Sequence, residues 1–210
     1  MQLKLQRTSI LLILTTIIYL VGLIGLNLTE YRELFLSLSA TNLLFTTLIL
    51  FTGRQSKHIL FFVFLLICFL VGFSAEWIGV HTGYLFGDYQ YGQNLGYKLF
   101  DIPLIIGLNW GLLVVCSAET IAMLKLNRWI SALFSSLLMT LLDFLIEPVA
   151  IKSDFWNWEG PIPIYNYICW FLIAIPLHFL YFKWRLNEAN KVHTGLFFIL
   201  ALFFLIQNLI

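Results

Sequence analysis

Long apolar runs separated by short polar segments dominate the chain, and seven of these runs are long enough to predict membrane helices. A spanning helix needs about 20 mostly apolar residues. The pattern contains no internal repeat at a fixed period and no linker between two hydrophobic blocks. We therefore predict one all-α integral membrane domain over residues 1–210, a polytopic helix bundle of about seven transmembrane helices. The predicted spans are residues 9–27, 34–52, 59–80, 99–122, 129–151, 164–182 and 195–210.

Composition supports this class and excludes two others. Of the 210 residues, 60% are hydrophobic and 11% are charged, whereas an ordinary soluble domain has about a quarter of its residues charged. The chain is therefore not a soluble globular domain. A net charge of +1 provides no basic surface for nucleic acid, so membrane lipid and lipophilic molecules are the expected partners.

Basic residues are distributed unequally between the two sets of loops, and this predicts the orientation. Cytoplasmic loops carry the excess of Lys and Arg. We therefore predict a bacterial or archaeal cell-membrane protein with a cytoplasmic N-terminus and an external C-terminus. The set on the predicted cytoplasmic side is Lys4, Arg7, Arg54, Lys57, Lys125, Arg128, Lys183, Arg185 and Lys191. The opposite set is Arg32, Lys98 and Lys152.

Four carboxylates are predicted at one depth, in the outer half of the bundle. Charged groups inside a membrane helix cost several kcal/mol, about 2.5 to 3.5 on insertion scales, so each is a functional hypothesis. Asp143 and Glu147 are spaced i, i+4 and share a helix face. Mutual repulsion and apolar surroundings disfavour charging both, so one is expected to hold a proton that it can donate. Glu76, Asp101 and the amide of Asn109 are predicted in the same slab.

Structural interpretations stand beside the functional ones. An acid at a helix end can cap a helix or meet the interface. For Asp101, such a role or pairing with Lys98 or Lys152 is favoured. Glu76 is balanced between the two interpretations, and Glu119, at the cytoplasmic end of the fourth span, is interpreted as structural.

Aromatic residues cluster around the same region. The interfacial aromatic belt is the default explanation for each of them, but as a group they could line a pocket in which ring faces stabilise a cation. The four histidines show no metal-ligand spacing, and no nucleotide fingerprint is present. We therefore predict no metal site and no cofactor. The aromatic set is Trp77, Tyr84, Phe86, Tyr89, Tyr91, Trp110, Phe155, Trp156, Trp158, Tyr165 and Tyr167.

Three ordered motifs resemble the CruF-type carotenoid biosynthesis proteins, and the resemblance covers roughly residues 76–170. The motifs are EWIGVHTGYLFGDYQY (residues 76–91), DIPL followed by NW (101–104 and 109–110), and DFLIEPVAI (143–151) with FWNW (155–158) and PIYN (163–166). The resemblance implies a cofactor-free carotenoid hydratase, which adds water across the terminal double bond of an acyclic carotenoid end to give a tertiary alcohol. A lipophilic carotenoid, water and other carotenoid enzymes are the implied partners.

The residues suit such a reaction. We expect Asp143 and Glu147 to transfer the proton and Glu76 to activate water or stabilise the cation. Asn109 and Asn166 are expected to orient the reactants. The remaining candidates for substrate binding or orientation are Trp110, Asp101, Tyr89, Tyr91, Trp156 and Trp158.

Two alternatives remain open. A membrane enzyme resembling a lycopene cyclase would use the same protonation step. A transporter or proton channel would also bury acids, but it needs polar groups across the whole membrane, and the inner half offers only Glu119 and His178.

Overall fold

Helices form most of the protein, and four short strands lie in the connections between α4 and α5 and between α6 and α7. The computed structural model describes residues 2–56 and 58–210, with side chains from residue 6 onward, so Lys57 and the Lys4 side chain lie outside the described part. The helices are α1 (Gln2–Asn27), α2 (Arg32–Ser37), α3 (Ser39–Gly53), α4 (Ile59–Thr82), α5 (Leu104–Ala122), α6 (Arg128–Lys152), α7 (Ile164–Lys183) and α8 (Lys191–Leu209). The strands are β1 (Tyr89–Tyr91), β2 (Lys98–Leu99), β3 (Ile102–Pro103) and β4 (Trp156–Trp158).

Six of the described helices, α1 and α4 to α8, are long and apolar enough to cross a membrane. This confirms the predicted polytopic helix bundle. The helix that corresponds to the second predicted span, α3, has 15 residues. At 1.5 Å per residue it is about 22 Å long, which is shorter than a hydrocarbon core of about 30 Å. Of the seven predicted spans, six therefore correspond to long helices and one corresponds to a short apolar helix.

The second predicted span is divided because the chain leaves the helix at Leu38, between α2 and α3. Just before the break, the Ser37 hydroxyl donates to the carbonyl of Leu34 (2.7 Å), and such local bonds compete with the helical ladder. The break also lets the Phe35 ring pack against Gly25, where a Cβ atom would lie only 2.2 Å from that ring. Hydropathy did not predict the break, because the serines on either side of Leu38 do not interrupt a run that is apolar on average.

Two other predicted boundaries were wrong. The fourth span starts at Leu104 rather than residue 99, because β2 and β3 form a small hairpin in front of it. Asp101 lies in the turn of that hairpin with φ of 66°, so it does not open the helix. The last helix starts earlier than predicted, at Lys191, because the Asn190 side chain caps it by accepting the backbone N–H of Val192 (2.9 Å).

The long helices alternate in direction. The start of α1 meets the end of α3, where the Arg7 guanidinium donates to the carbonyl of Thr52. The end of α1 meets the end of α8, where the Asn27 amide donates to Gln207 (3.3 Å). The two termini therefore lie at opposite ends of the bundle. We call the end at which α4 and α6 finish and α5 and α7 begin the carboxylate end.

At the opposite end, Glu119 is fully buried and organises the connection between α7 and α8. Its carboxyl group accepts hydrogen bonds from the Tyr181 hydroxyl (2.6 Å) and the backbone N–H groups of Glu188 (2.9 Å) and Asn190 (2.8 Å). We call these four residues the Glu119 clasp. Their contacts are those of a structural carboxylate, in agreement with the interpretation of Glu119 from the sequence.

The orientation of the bundle in the membrane is a testable prediction. Because Lys and Arg retain loops in the cytoplasm, a reporter fused after Lys125 or after Lys191 should be cytoplasmic. A reporter fused after Gly92, at the carboxylate end, should be external. Paired phosphatase and fluorescent-protein fusions measure this directly, and the reverse pattern would place the carboxylate end in the cytoplasm.

Candidate active site

Three carboxyl groups converge at the carboxylate end. Glu76 lies in the last two turns of α4, and Asp143 and Glu147 lie one turn apart in the second half of α6. All three side chains are buried, with exposed fractions of 4%, 1% and 2%. Buried carboxyl groups need hydrogen-bond partners to offset the loss of water, and here the partners come from four different elements.

Glu76 is held by three donors. One carboxyl oxygen accepts the hydroxyls of Tyr89 (2.5 Å) and Tyr91 (2.8 Å), and the other accepts the indole N–H of Trp110 (3.1 Å). Burial and the neighbouring Glu76 carboxyl group raise the pKa of both tyrosine hydroxyls well above the ordinary value. Both tyrosines therefore keep their protons and remain donors to Glu76.

Glu147 is also held by three donors, and one of them is shared with Asp143. One oxygen of Glu147 accepts the indole N–H groups of Trp156 (2.9 Å) and Trp158 (2.8 Å). The other accepts the Asn166 amide (2.9 Å), whose nitrogen also lies 3.2 Å from a carboxyl oxygen of Asp143. A single NH₂ group thus connects the two acids, and it is the only donor to the Asp143 side chain among the described residues.

Apart from Trp110 on α5, the indole and hydroxyl donors lie on two paired strands that close the carboxylate end. β1 and β4 are antiparallel, with Tyr89 opposite Trp158 and Tyr91 opposite Trp156. Aromatic residues favour strands, and alternate side chains along a strand share one face, so all four rings point toward the acids. The Tyr89 and Trp158 rings lie 5.1 Å apart, which is typical of a stabilising aromatic pair. We call β1 and β4 the aromatic roof.

Beneath the aromatic roof lies a small chamber of about 20 Å³. A cavity holds a water molecule when about 10 to 15 Å³ is available and two to four polar groups line it. The chamber meets both conditions, with carboxyl groups from Glu76 and Glu147 in its wall. Its lining residues are Glu76, Phe86, Tyr89, Tyr91, Ile106, Asn109, Glu147, Trp156, Trp158, Asn166 and Trp170.

A second, much larger cavity of about 440 Å³ adjoins the chamber. It lies between α1, α3, α5, α6 and α8 and is lined mainly by apolar side chains. Ile106, Asn109 and Trp156 line both cavities, so they form the boundary between them. We call the larger space the apolar cavity. In the described part of the chain, the Asn109 amide has no side-chain hydrogen bond and is available to a ligand at this boundary.

The structure brings together every predicted site residue except Asp101. The Asp101 side chain is 82% exposed and lies 3.7 Å from the imidazole of His81. Of the structural alternatives for Asp101, pairing with Lys98 is not formed, since the Lys98 ammonium donates to the carbonyl of Tyr91 (2.8 Å). Asp101 is placed outside the chamber by the β2–β3 hairpin, which the sequence pattern did not reveal.

Two lining residues, Ile106 and Trp170, were missed as site residues by the sequence analysis. Trp170 stacks on Trp110 with ring centroids 4.2 Å apart and planes 5° from parallel. Helical spacing could have indicated both, because Trp170 lies four residues after Asn166 and Ile106 lies four before Trp110. Within residues 2–56 and 58–210, no three His, Cys, Asp or Glu side chains are arranged to hold a metal ion.

The fold and the site define a polytopic membrane protein with a buried site of acids and aromatic rings. Residues 33–210 match the family described as carotenoid biosynthesis protein, and the chain belongs to that family. This confirms the resemblance and extends it well beyond residues 76–170.

One relative has a named activity. A bisanhydrobacterioruberin hydratase from Haloarcula japonica is 32% identical over 112 residues, which are 49% of this chain and 38% of that protein. The match therefore spans well under half of that relative's length. No solved structure matches the chain.

Proposed function

We propose that the protein is a carotenoid hydratase that adds water across the terminal double bond of an acyclic carotenoid end group to give a tertiary alcohol. The observation that carries this proposal is the chamber, which fits one water molecule between two carboxyl groups and adjoins a large apolar cavity. Membership in the carotenoid biosynthesis family and the hydratase among its relatives support the same reaction class.

The first step is protonation of the alkene by the Asp143 and Glu147 pair. Two carboxyl groups that contact one amide nitrogen repel each other when both are ionised, so the pair retains one proton. Glu147 lines the chamber and delivers that proton to the less substituted alkene carbon. Asp143 lies outside the chamber lining and acts as a positioning residue that keeps the shared proton available.

The second step is capture of the tertiary cation by water. The oxygen of the chamber water bonds to the cationic carbon, and the proton that it loses passes to Glu76, which faces the same chamber. Transfer of that proton back to the pair restores the starting state. One water is consumed, no electrons are exchanged and no cofactor is needed.

Electrostatic interactions stabilise the tertiary cation that forms after protonation and before water attacks. Fixed groups aimed at the place where charge develops are the main source of catalysis in such sites. Here the carboxylate of Glu76 and the rings of Trp156 and Trp170 line the chamber, and a ring face turned to a desolvated cation stabilises it by about 2 kcal/mol. The aromatic roof limits access by bulk water.

The origin of the new hydroxyl tests the proposal. Membranes that contain the protein and lycopene should form the alcohol under argon in heavy-oxygen water. The product should carry the label and exceed the substrate mass by one water, because no oxidant takes part. An unchanged product mass would favour the cyclase alternative, and an alcohol that forms only in air and lacks the label would show an oxidative hydroxylase. Absence of any product would favour the transporter alternative.

A further inference from the structure

We infer that the apolar cavity binds the polyene arm of the substrate, and that the arm enters it sideways from the bilayer between α1 and the α2–α3 break. The identity of the occupant rests on the proposed function, whereas the place of entry rests on the geometry of the cavity. The inference assigns a role to α1, α3 and α8, which contribute no side chain to the chamber.

The wall of the apolar cavity matches a hydrocarbon. Leu43, Leu113, Leu200 and Phe203, from three different helices, are among its lining residues. Water forms few hydrogen bonds in such a space, so the cavity favours an apolar ligand over water. The cavity meets the chamber at Asn109, so an apolar chain inside it would present its end to the carboxyl groups.

The far side of the apolar cavity reaches the lipid-facing surface. Three of its lining residues, Ile17 and Val21 on α1 and Leu38 at the α2–α3 break, are 52%, 50% and 44% exposed. We call these three residues the mouth. Because the mouth is apolar and lies on the flank of the bundle, a ligand can pass from the bilayer to the chamber without crossing an aqueous phase.

The size of the apolar cavity explains why only an arm enters. Its volume of about 440 Å³ lies within the range of roughly 300 to 1,000 Å³ typical of small-molecule sites. A full-length acyclic carotenoid is about as long as the apolar core of a bilayer is thick, so much of it remains in lipid. A lipid acyl tail also fits such a wall, but it would bring an unreactive methyl end to the acids. We therefore assign the polyene as the occupant.

Gly22 offers a way to block the apolar cavity from within. It lines the cavity, and a Cβ atom there would meet only the Phe203 ring, at 3.9 Å. Glycine is also unfavourable inside a helix, so a larger residue does not weaken α1. Gly22→Phe should project a ring into the cavity, and Gly22→Ala should have a smaller effect. Leu141→Phe, on the exposed face of α6, is the matched control.

Pigment binding and turnover are measured separately. Binding is measured in the Glu147→Gln background, as lycopene retained on purified protein, from absorbance and induced circular dichroism. We expect Gly22→Phe to reduce retained lycopene at least tenfold and Leu141→Phe to leave it unchanged. Thermal unfolding of each variant checks the fold, and Leu38→Trp, which closes the mouth, gives an independent block.

The outcomes separate the two proposals. Retention of lycopene by both Gly22→Phe and Leu38→Trp would overturn the inference, as would co-purification of phospholipid with no lycopene. Lycopene that is retained, displaced by Gly22→Phe and never hydrated by the unmodified protein would overturn the proposed function alone. Hydration that continues at a normal rate in Gly22→Phe would overturn the inference alone.

Discussion

Replacing Glu147 by Gln should lower the rate of carotenoid hydration by about 10²- to 10⁴-fold, the contribution typical of a general acid. Glutamine keeps the size of the side chain and one carbonyl acceptor, but it cannot donate a proton of suitable acidity to an alkene. The fold should be retained, since removing a charge from a membrane helix carries no insertion cost. The measurement is alcohol formed from lycopene per unit of inserted protein.

Three further variants sharpen this test. Glu159→Gln is the control, because Glu159 is an exposed acid next to Trp158 on the same connection, and it should retain full activity. Asp143→Asn should reduce turnover and shift its pH dependence, and adding it to Glu147→Gln should cause little further loss because the two acids act as a unit. Normal activity in Glu147→Gln would remove Glu147 from the mechanism.

Replacing Glu119 by Ala should strongly destabilise the protein. The change leaves the Tyr181 hydroxyl and the N–H groups of Glu188 and Asn190 without their acceptor. Each unsatisfied buried donor costs about 1 to 3 kcal/mol, so the sum is comparable with the whole free energy of unfolding of a typical domain, about 5 to 15 kcal/mol. We expect poor recovery of folded protein and a fall in Tm well above that of any surface variant.

Thermal unfolding in detergent measures this effect. Glu33→Ala is the control, because Glu33 is exposed on α2 and its loss should change Tm little. A Glu119→Ala protein with an unchanged Tm would show that the Glu119 clasp contributes no stability. A Tm that is unchanged together with lost hydration would instead give Glu119 a part in the chemistry.

The acids of the site were predictable because two physical constraints act on them. Carboxylates are rare in apolar helices, so Glu76, Asp143 and Glu147 stand out in the sequence. Successive helices run in opposite directions, so the end of one helix and the start of the next lie at one depth. The same reasoning placed Asn109 correctly, although it could not show which donors hold which carboxyl group.

The aromatic roof was not predictable, because a strand of three residues has no distinctive local pattern. Tyr89 and Trp158 are paired although α5 and α6 lie between them in the sequence. Contacts between residues so far apart in the chain depend on the completed helix packing. The β2–β3 hairpin that carries Asp101 away from the site is local in the chain, but strands of two residues are too short to leave a recognisable pattern in the sequence. The break at Leu38 and the apolar cavity likewise depend on how side chains such as Phe35 fit their neighbours, which hydropathy does not record.

The pairing of β1 with β4 has a consequence for biogenesis. α5 and α6 lie between these strands in the chain, so the strands can meet only after both helices have been inserted and have associated. Helix insertion and helix association are separate stages in membranes. Each acid lies close in sequence to its own strand, since Tyr89 and Tyr91 follow Glu76 by 13 and 15 residues and Trp156 and Trp158 follow Glu147 by 9 and 11. The pairing of the two strands, in contrast, joins residues on either side of α5 and α6. The aromatic roof can thus close over the acids only after α5 and α6 have packed, and we expect a newly inserted chain to lack the enclosed chamber until then.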